Sequence, residues 1–130
     1  MIYDTILPIE HIRQDLQVPS RLVTPIIMVG ELKAFALKAD WDIQRVRRKD
    51  GIINDYSTAD IELEITLIYA QTDAFSQGKL KNSSLGNSTR NMRKNNIWIE
   101  AIALCLDMEL HTTDNDFDHL PATGLRLMKH

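Results

Sequence analysis

Three carboxylates in the sequence stand where they could do chemistry: Glu31, Asp114 and Asp116. Asp114 and Asp116 flank Asn115 directly after an apolar strand pattern that ends in Thr112-Thr113. Open α/β sheets bind their ligands at the C-terminal ends of strands, so carboxylates there are placed to act. Glu31 follows Gly30 in the first turns of an otherwise apolar helical stretch. Each residue also has a plainer role. Asp readily caps a turn or short helix, and a Glu near a helix N-terminus is favoured by the dipole. The acidic run Asp114 to Asp118 is not a helix–loop–helix calcium site. Its sixth position is His119 where Gly is needed, and its twelfth is Leu125 where a bidentate Glu is needed. His11, His111, His119 and His130 lack zinc-ligand spacing and read as surface or turn residues.

The elements that must position these groups follow from hydrophobic period. Met1 to Leu7 reads as a short strand closed by Pro8, and Ile9, Ile12 and Leu16 recur at helical spacing. Leu22-Val23 reads as a buried strand ending at Thr24-Pro25, with Pro25 suited to a helix start. Helices are expected over Ile26 to Ala39, over Asp42 to Ile53 with a break at Asp50-Gly51, and over Ile61 to Ala74. Tyr56 to Ala59 reads as a strand between the last two. Ser76 to Asn91 is rich in Gly, Ser, Asn and Lys and reads as an exposed loop. Ile97, Trp98, Ala101, Ile102 and Leu104 make a deeply buried helix. Glu109 to Thr113 is a short strand, Asp114 to Leu120 a polar turn or short helix, and Leu125 to Met128 a last strand. Strands alternating with helices predict an α/β fold, helices covering a mainly parallel sheet. Trp41 and Trp98 belong to apolar stripes and are expected in the core.

Composition narrows the class. The 130 residues suit a single domain spanning 1–130, and 44% hydrophobic residues are enough for a core. A formal net charge of -3 excludes a uniformly basic nucleic-acid coat protein and a highly charged disordered tail. The single Cys105 forms no internal disulfide, and no apolar run reaches membrane-spanning length, so a cytoplasmic protein is expected.

The residues then carry a resemblance. Thr24-Pro25-Ile26-Ile27-Met28-Val29-Gly30-Glu31-Leu32 resembles the second acidic motif of PIN-domain proteins. Asn95-Asn96-Ile97-Trp98-Ile99-Glu100-Ala101 is similar to the third motif, and His111 to Leu120, containing Thr-Thr-Asp-x-Asp-Phe, to the fourth. Each block is a loose pattern, but their order and spacing from Arg21 onward fit together. The resemblance implies a three-layer PIN-like domain and a Mg²⁺- or Mn²⁺-dependent endoribonuclease, often the toxin of a VapC-like toxin–antitoxin pair. It further implies RNA as substrate, a protein antitoxin as partner, and a homodimer. Hard divalent cations take oxygen ligands, so a carboxylate cluster suits them and leaves room for water and phosphate.

The chain departs from the pattern twice. Asn96 stands where the family usually carries Asp; an amide offers a carbonyl oxygen without charge, so cation affinity should fall. Glu100 lies one turn further on the same helix face and is a candidate compensating ligand, against the plainer reading of a solvent-facing Glu. The first motif is only echoed by Ile2-Tyr3-Asp4-Thr5. Either the first strand and helix are abbreviated and Asp4 is a metal ligand, or the first strand is missing. The ligand set implied is Glu31, Asp114 and Asp116, with Asn96 and Asp4 less regular members. Arg90, Arg93 and Lys94, with Lys79 and Lys81 before them, read as a rim gripping RNA phosphates, or as a solvated loop. Arg45, Arg47, Arg48 and Lys49 form a second basic patch, read as a solvated face or partner contact. Against the nuclease stands a second class of function: a catalytically impaired PIN-like module that binds RNA or an antitoxin without cleavage.

Overall fold

The computed structural model describes residues 1–80 and 89–130. Lys81 and half of the polar stretch read as a loop, residues 81–88, lie outside the described residues. Among the described residues, five parallel strands form one sheet: β1 (Ile2–Tyr3), β2 (Val23–Pro25), β3 (Ser57–Ala59), β4 (Leu110–Thr112) and β5 (Leu127–Lys129), in the order β3-β2-β1-β4-β5. The chain builds toward one edge through β2 and β3, then returns to add β4 and β5 on the other side of β1. The order therefore reverses between β1 and β4. At such a reversal the connecting chains part and leave a crevice beyond the strands' C-terminal ends.

The first strand is present, at the centre of the sheet, which overturns the alternative in which it is missing. It is only two residues long. Ile2 pairs with Val23 and Leu110, and Tyr3 with His111. The expected strand over Met1 to Leu7 gives way early, because Ile6–Arg13 is already helix α1. Pro8 sits in the first turn of that helix, where its missing N–H would have had no helical acceptor.

Successive residues of β1 point to opposite faces of the sheet and seed two cores. Ile2 joins the cluster formed with α4 (Leu63–Ser76) and α5 (Lys94–Cys105), through Ile65, Phe75, Ile97 and Ile102. Tyr3 joins the cluster formed with α1, α2 (Ile26–Lys38) and α3 (Ile43–Asp55), through Leu7, Ile12, Met28, Leu32 and Ile52. The result is the expected three-layer α/β fold. Trp41 is buried in the second cluster; Trp98 is half-buried, its ring 4.1 Å from that of Tyr69. Among the described residues, no helix is long and apolar enough to cross a membrane.

Helix α3 runs unbroken through Asp50-Gly51, contrary to the sequence expectation. A helical Gly costs about 1 kcal/mol. Burying Ile52, with Val46 and Ile53 packed beside it, outweighs that, since one buried Ile contributes about 2 kcal/mol. Asp42 caps the helix by accepting from the Arg45 N–H at 2.9 Å. Arg48 does not belong to a free basic face. It donates to the Asp15 carboxylate at 2.6 Å and to the carbonyls of His11 and Leu16, fastening α3 to the end of α1.

Candidate functional site

Of the residues singled out in the sequence, Asp4, Asn96, Asp114 and Asp116 are joined by hydrogen bonds at the reversal point of the sheet. Asp4 leaves the end of β1, and Asp114 follows the end of neighbouring β4. Thr112 ties them together: its hydroxyl donates to Asp4 Oδ2 and accepts the Asp114 N–H at 2.8 Å. Thr5, next to Asp4, donates to Glu31 Oε1 at 2.6 Å. Glu31 is brought there because β2 ends at Pro25 and α2 begins at once with Ile26, placing it a turn and a half into the helix. The Asp114 carboxylate accepts the Asp116 N–H at 2.9 Å and so caps the short 3-10 helix Asn115–Phe117. The capping role read from sequence is therefore real, and it coexists with a place in the acidic centre.

Asn96 completes the chain of contacts. Its amide nitrogen donates to Asp114 Oδ2 at 3.3 Å and to Asp116 Oδ2 at 2.9 Å. Ionised carboxylates only accept, so the group facing them must be the NH₂ end. Asp116 Oδ2 also accepts from the Arg93 N–H at 3.1 Å.

Asp4 has the most unusual electrostatics here. Only 2% of it is exposed. Burial pushes its carboxyl up to about 6, with Asp114 adding repulsion, against the lowering effect of the Thr112 hydroxyl. Its Oδ1 is buried with no well-aligned hydrogen-bond partner, although the Leu7 and Ile6 N–H groups at the start of α1 also lower the carboxyl's pKa. An orphaned carboxylate oxygen among other carboxylates suits a hard cation, and all the donors here are oxygens. The residue types thus fit Mg²⁺ or Mn²⁺. The fit is incomplete in arrangement: among the described residues, no three His, Cys, Asp or Glu side chains converge as a ready ligand shell.

Glu100 goes elsewhere. It is fully buried between α4 and α5, where Oε2 accepts from the Thr72 hydroxyl at 2.8 Å and Oε1 has no partner. Burial drives its carboxyl up to about 7. It is therefore not the solvent-facing Glu of the plainer sequence reading. Arg90, Arg93 and Lys94 are exposed beside the acidic loop. Arg90 donates to the Asn115 carbonyl at 3.1 Å, and Lys94 lies 3.7 Å from Asp73. A cavity of about 650 Å³, walled by Ile6, Ile9, Ile26 and Phe35, reaches Glu31 and leaves the site open on that side.

Several supporting residues were not singled out from sequence. The hydroxyls of Thr5 and Thr112 had a local signal, since each sits beside an acidic motif. Lys129 had none. It reaches the acidic loop because β5 pairs Lys129 with Thr112, and it donates to the Asp114 carbonyl at 2.9 Å and pairs with Asp118 at 2.9 Å. Of the histidines read as surface or turn residues, His111 differs, whereas His130 is exposed and His119 lies in a turn. His111 is buried in β4 and shares a 2.8 Å hydrogen bond with His130. His119 shares a 2.7 Å hydrogen bond with Ser76, which ends α4 as a buried residue rather than opening the loop. Burial, with Arg90 nearby, holds the His119 pKa below its ordinary value.

Solved structures share this fold over nearly the whole chain. VapBC2 from Rickettsia felis, bound to a DNA fragment from its promoter, contains a chain matching at TM-score 0.70 and 19% identity, covering 99% of this chain and 98% of that one. VapBC-5 from Mycobacterium tuberculosis, a toxin–antitoxin system, matches at TM-score 0.73 and 21% identity, over 99% and 97% of the two chains. VapBC-1 from nontypeable Haemophilus influenzae matches at TM-score 0.65 and 24% identity, over 99% and 98%. No protein-family model and no curated protein matches the sequence. The likeness is one of fold, and the fold is PIN-like, as the motifs imply.

Proposed function

We propose that the chain is the toxin of a toxin–antitoxin pair and cuts RNA phosphodiester bonds with Mg²⁺ or Mn²⁺. The observation that supports this reading is the hydrogen-bonded link from Asp4 through Thr112 to Asp114 and on to Asp116 at the sheet's reversal point, with Glu31 tied to Thr5 beside Asp4. Those carboxylates would hold the cation. When bound, it would supply a Lewis acid for water and for the scissile phosphate. The chain's own residues do the rest. Thr5 and Thr112 orient the carboxylates, while the α1–α2 side stays open for substrate. Arg90, Arg93 and Lys94 contact phosphates along the strand, which positions RNA without reading its sequence. A protein antitoxin and a second copy of the chain are the partners this reading brings.

A second reading, a PIN-like module that binds RNA or an antitoxin without cutting, draws support from Asn96, whose neutral amide occupies carboxylate oxygens a cation would use. Incubation with structured RNA in Mn²⁺ or EDTA, beside Asp114→Ala, separates the two. Cleavage that needs Mn²⁺ and disappears in the variant supports the nuclease. Retained RNA binding without cleavage supports the module.

A further inference from the structure

We infer that Asn96 is a positioning residue: its side-chain amide holds Asp114 and Asp116 together in the cation-free protein, and an entering divalent cation must displace it. The inference rests on the reading that the acidic centre takes such a cation. Both N–H bonds of the amide are engaged, one with Asp114 Oδ2 at 3.3 Å and one with Asp116 Oδ2 at 2.9 Å. Asn96 is 8% exposed and fixed in the first turn of α5, so water does not readily replace it. A carboxylate at this position would have no hydrogen to offer. Three acidic side chains would then face one another at hydrogen-bond distance, and only a proton or a cation could relieve their repulsion.

The consequence is a site in which the chain's own amide relieves part of the repulsion between Asp114 and Asp116. In PIN-like sites with Asp here, the cation would neutralise the cluster. In this chain the amide takes over part of that task, and the same two oxygens are then less available as ligands. Replacing Asn96 by Ala should remove a competitor, whereas it should remove a ligand if Asn96 bound the metal through its carbonyl. The two possibilities predict opposite signs.

Thermal melts in EDTA and calorimetric titration with Mn²⁺ on wild type, Asn96→Ala and Asn96→Asp test this. Both variants should melt several degrees lower than wild type in EDTA. Asn96→Ala should bind Mn²⁺ at least threefold more tightly, and Asn96→Asp at least tenfold. Weaker or unchanged Mn²⁺ binding by Asn96→Ala, or unaltered melting in EDTA, would overturn the inference. Should Asn96→Ala not fold, nitrogen-resolved NMR of wild type gives the answer. The Asn96 NH₂ signals should exchange slowly with water in EDTA and shift on saturation with Mg²⁺; fast exchange, or no shift, would contradict the clamp. No readout uses RNA. A protein that fails to cut RNA yet shows these responses refutes the nuclease and leaves the clamp standing, and cleavage without them does the reverse.

Discussion

Glu100 offers a quantitative test of the packing between α4 and α5. Its carboxyl is pushed from an ordinary 4.5 up to about 7, by burial and in spite of the Thr72 hydrogen bond. The folded protein therefore prefers the protonated form more strongly than the unfolded chain does. Stability from this group is fully present below pH 4.5, declines as pH rises through the interval to 7, and is level above it. A tenfold change in proton affinity is worth about 1.4 kcal/mol, so the decline is on the order of 3 kcal/mol. For a chain of 130 residues that is about 10 °C in melting temperature. Glu100→Gln keeps a carbonyl for the Thr72 hydroxyl and cannot ionise. Urea unfolding of both proteins between pH 4.5 and 8.5 should give a stability difference that moves toward the variant by about 3 kcal/mol and flattens above pH 7. Asp4, raised to about 6, loses stability with rising pH in both proteins. Its contribution cancels in the difference if the two sites are independent. Parallel curves for wild type and variant would refute the reasoning, because a Glu100 that ionises as easily folded as unfolded cannot lie unsolvated against Thr72.

Two further outcomes follow from the site. Thr112→Val strips the hydroxyl joining Asp4 to the Asp114 N–H and should cost about 2 kcal/mol in urea unfolding, with slower RNA cleavage; an unchanged midpoint would mean that the link contributes nothing. Arg90→Ala and Lys94→Ala should weaken binding to single-stranded RNA of any sequence, each lowering the slope of log K against log salt by about 0.7 in filter-binding assays, whereas a sequence-selective loss would contradict phosphate contact.

Much of the frame was legible in the sequence, and the reasons differ by element. Helix α2 declares itself through Val29, Leu32 and Ala36, which recur at helical spacing and are buried, although Leu37, expected on the same apolar side, is exposed. Helix α5 shows as an apolar cylinder because it is enclosed between the sheet and α4. The acidic loop after β4 was readable because Asp114, Asn115 and Asp116 are local to one another. Strand β1 was read in the right place but too long, since its two residues carry no period and the partners that delimit it lie far off, at Val23, Leu110 and His111. The unbroken α3 escaped local reading for a related reason: Gly51 is a local signal, while the burial of Ile52 against other helices is a tertiary one. Glu100 shows the same limit. Nothing in Ile99-Glu100-Ala101 says that Thr72, on another helix, will hold its carboxyl in the core.

The proposed function makes the carboxylates at the reversal point a cation-dependent centre for cutting RNA. The most direct test is the initial rate of RNA cleavage against Mn²⁺ concentration for wild type, Asp4→Asn and Asp114→Asn. The rate should saturate with Mn²⁺, vanish in EDTA, and fall at least a hundredfold in either variant while the fold is kept. Cleavage that persists in EDTA, or survives both substitutions, would contradict such a centre.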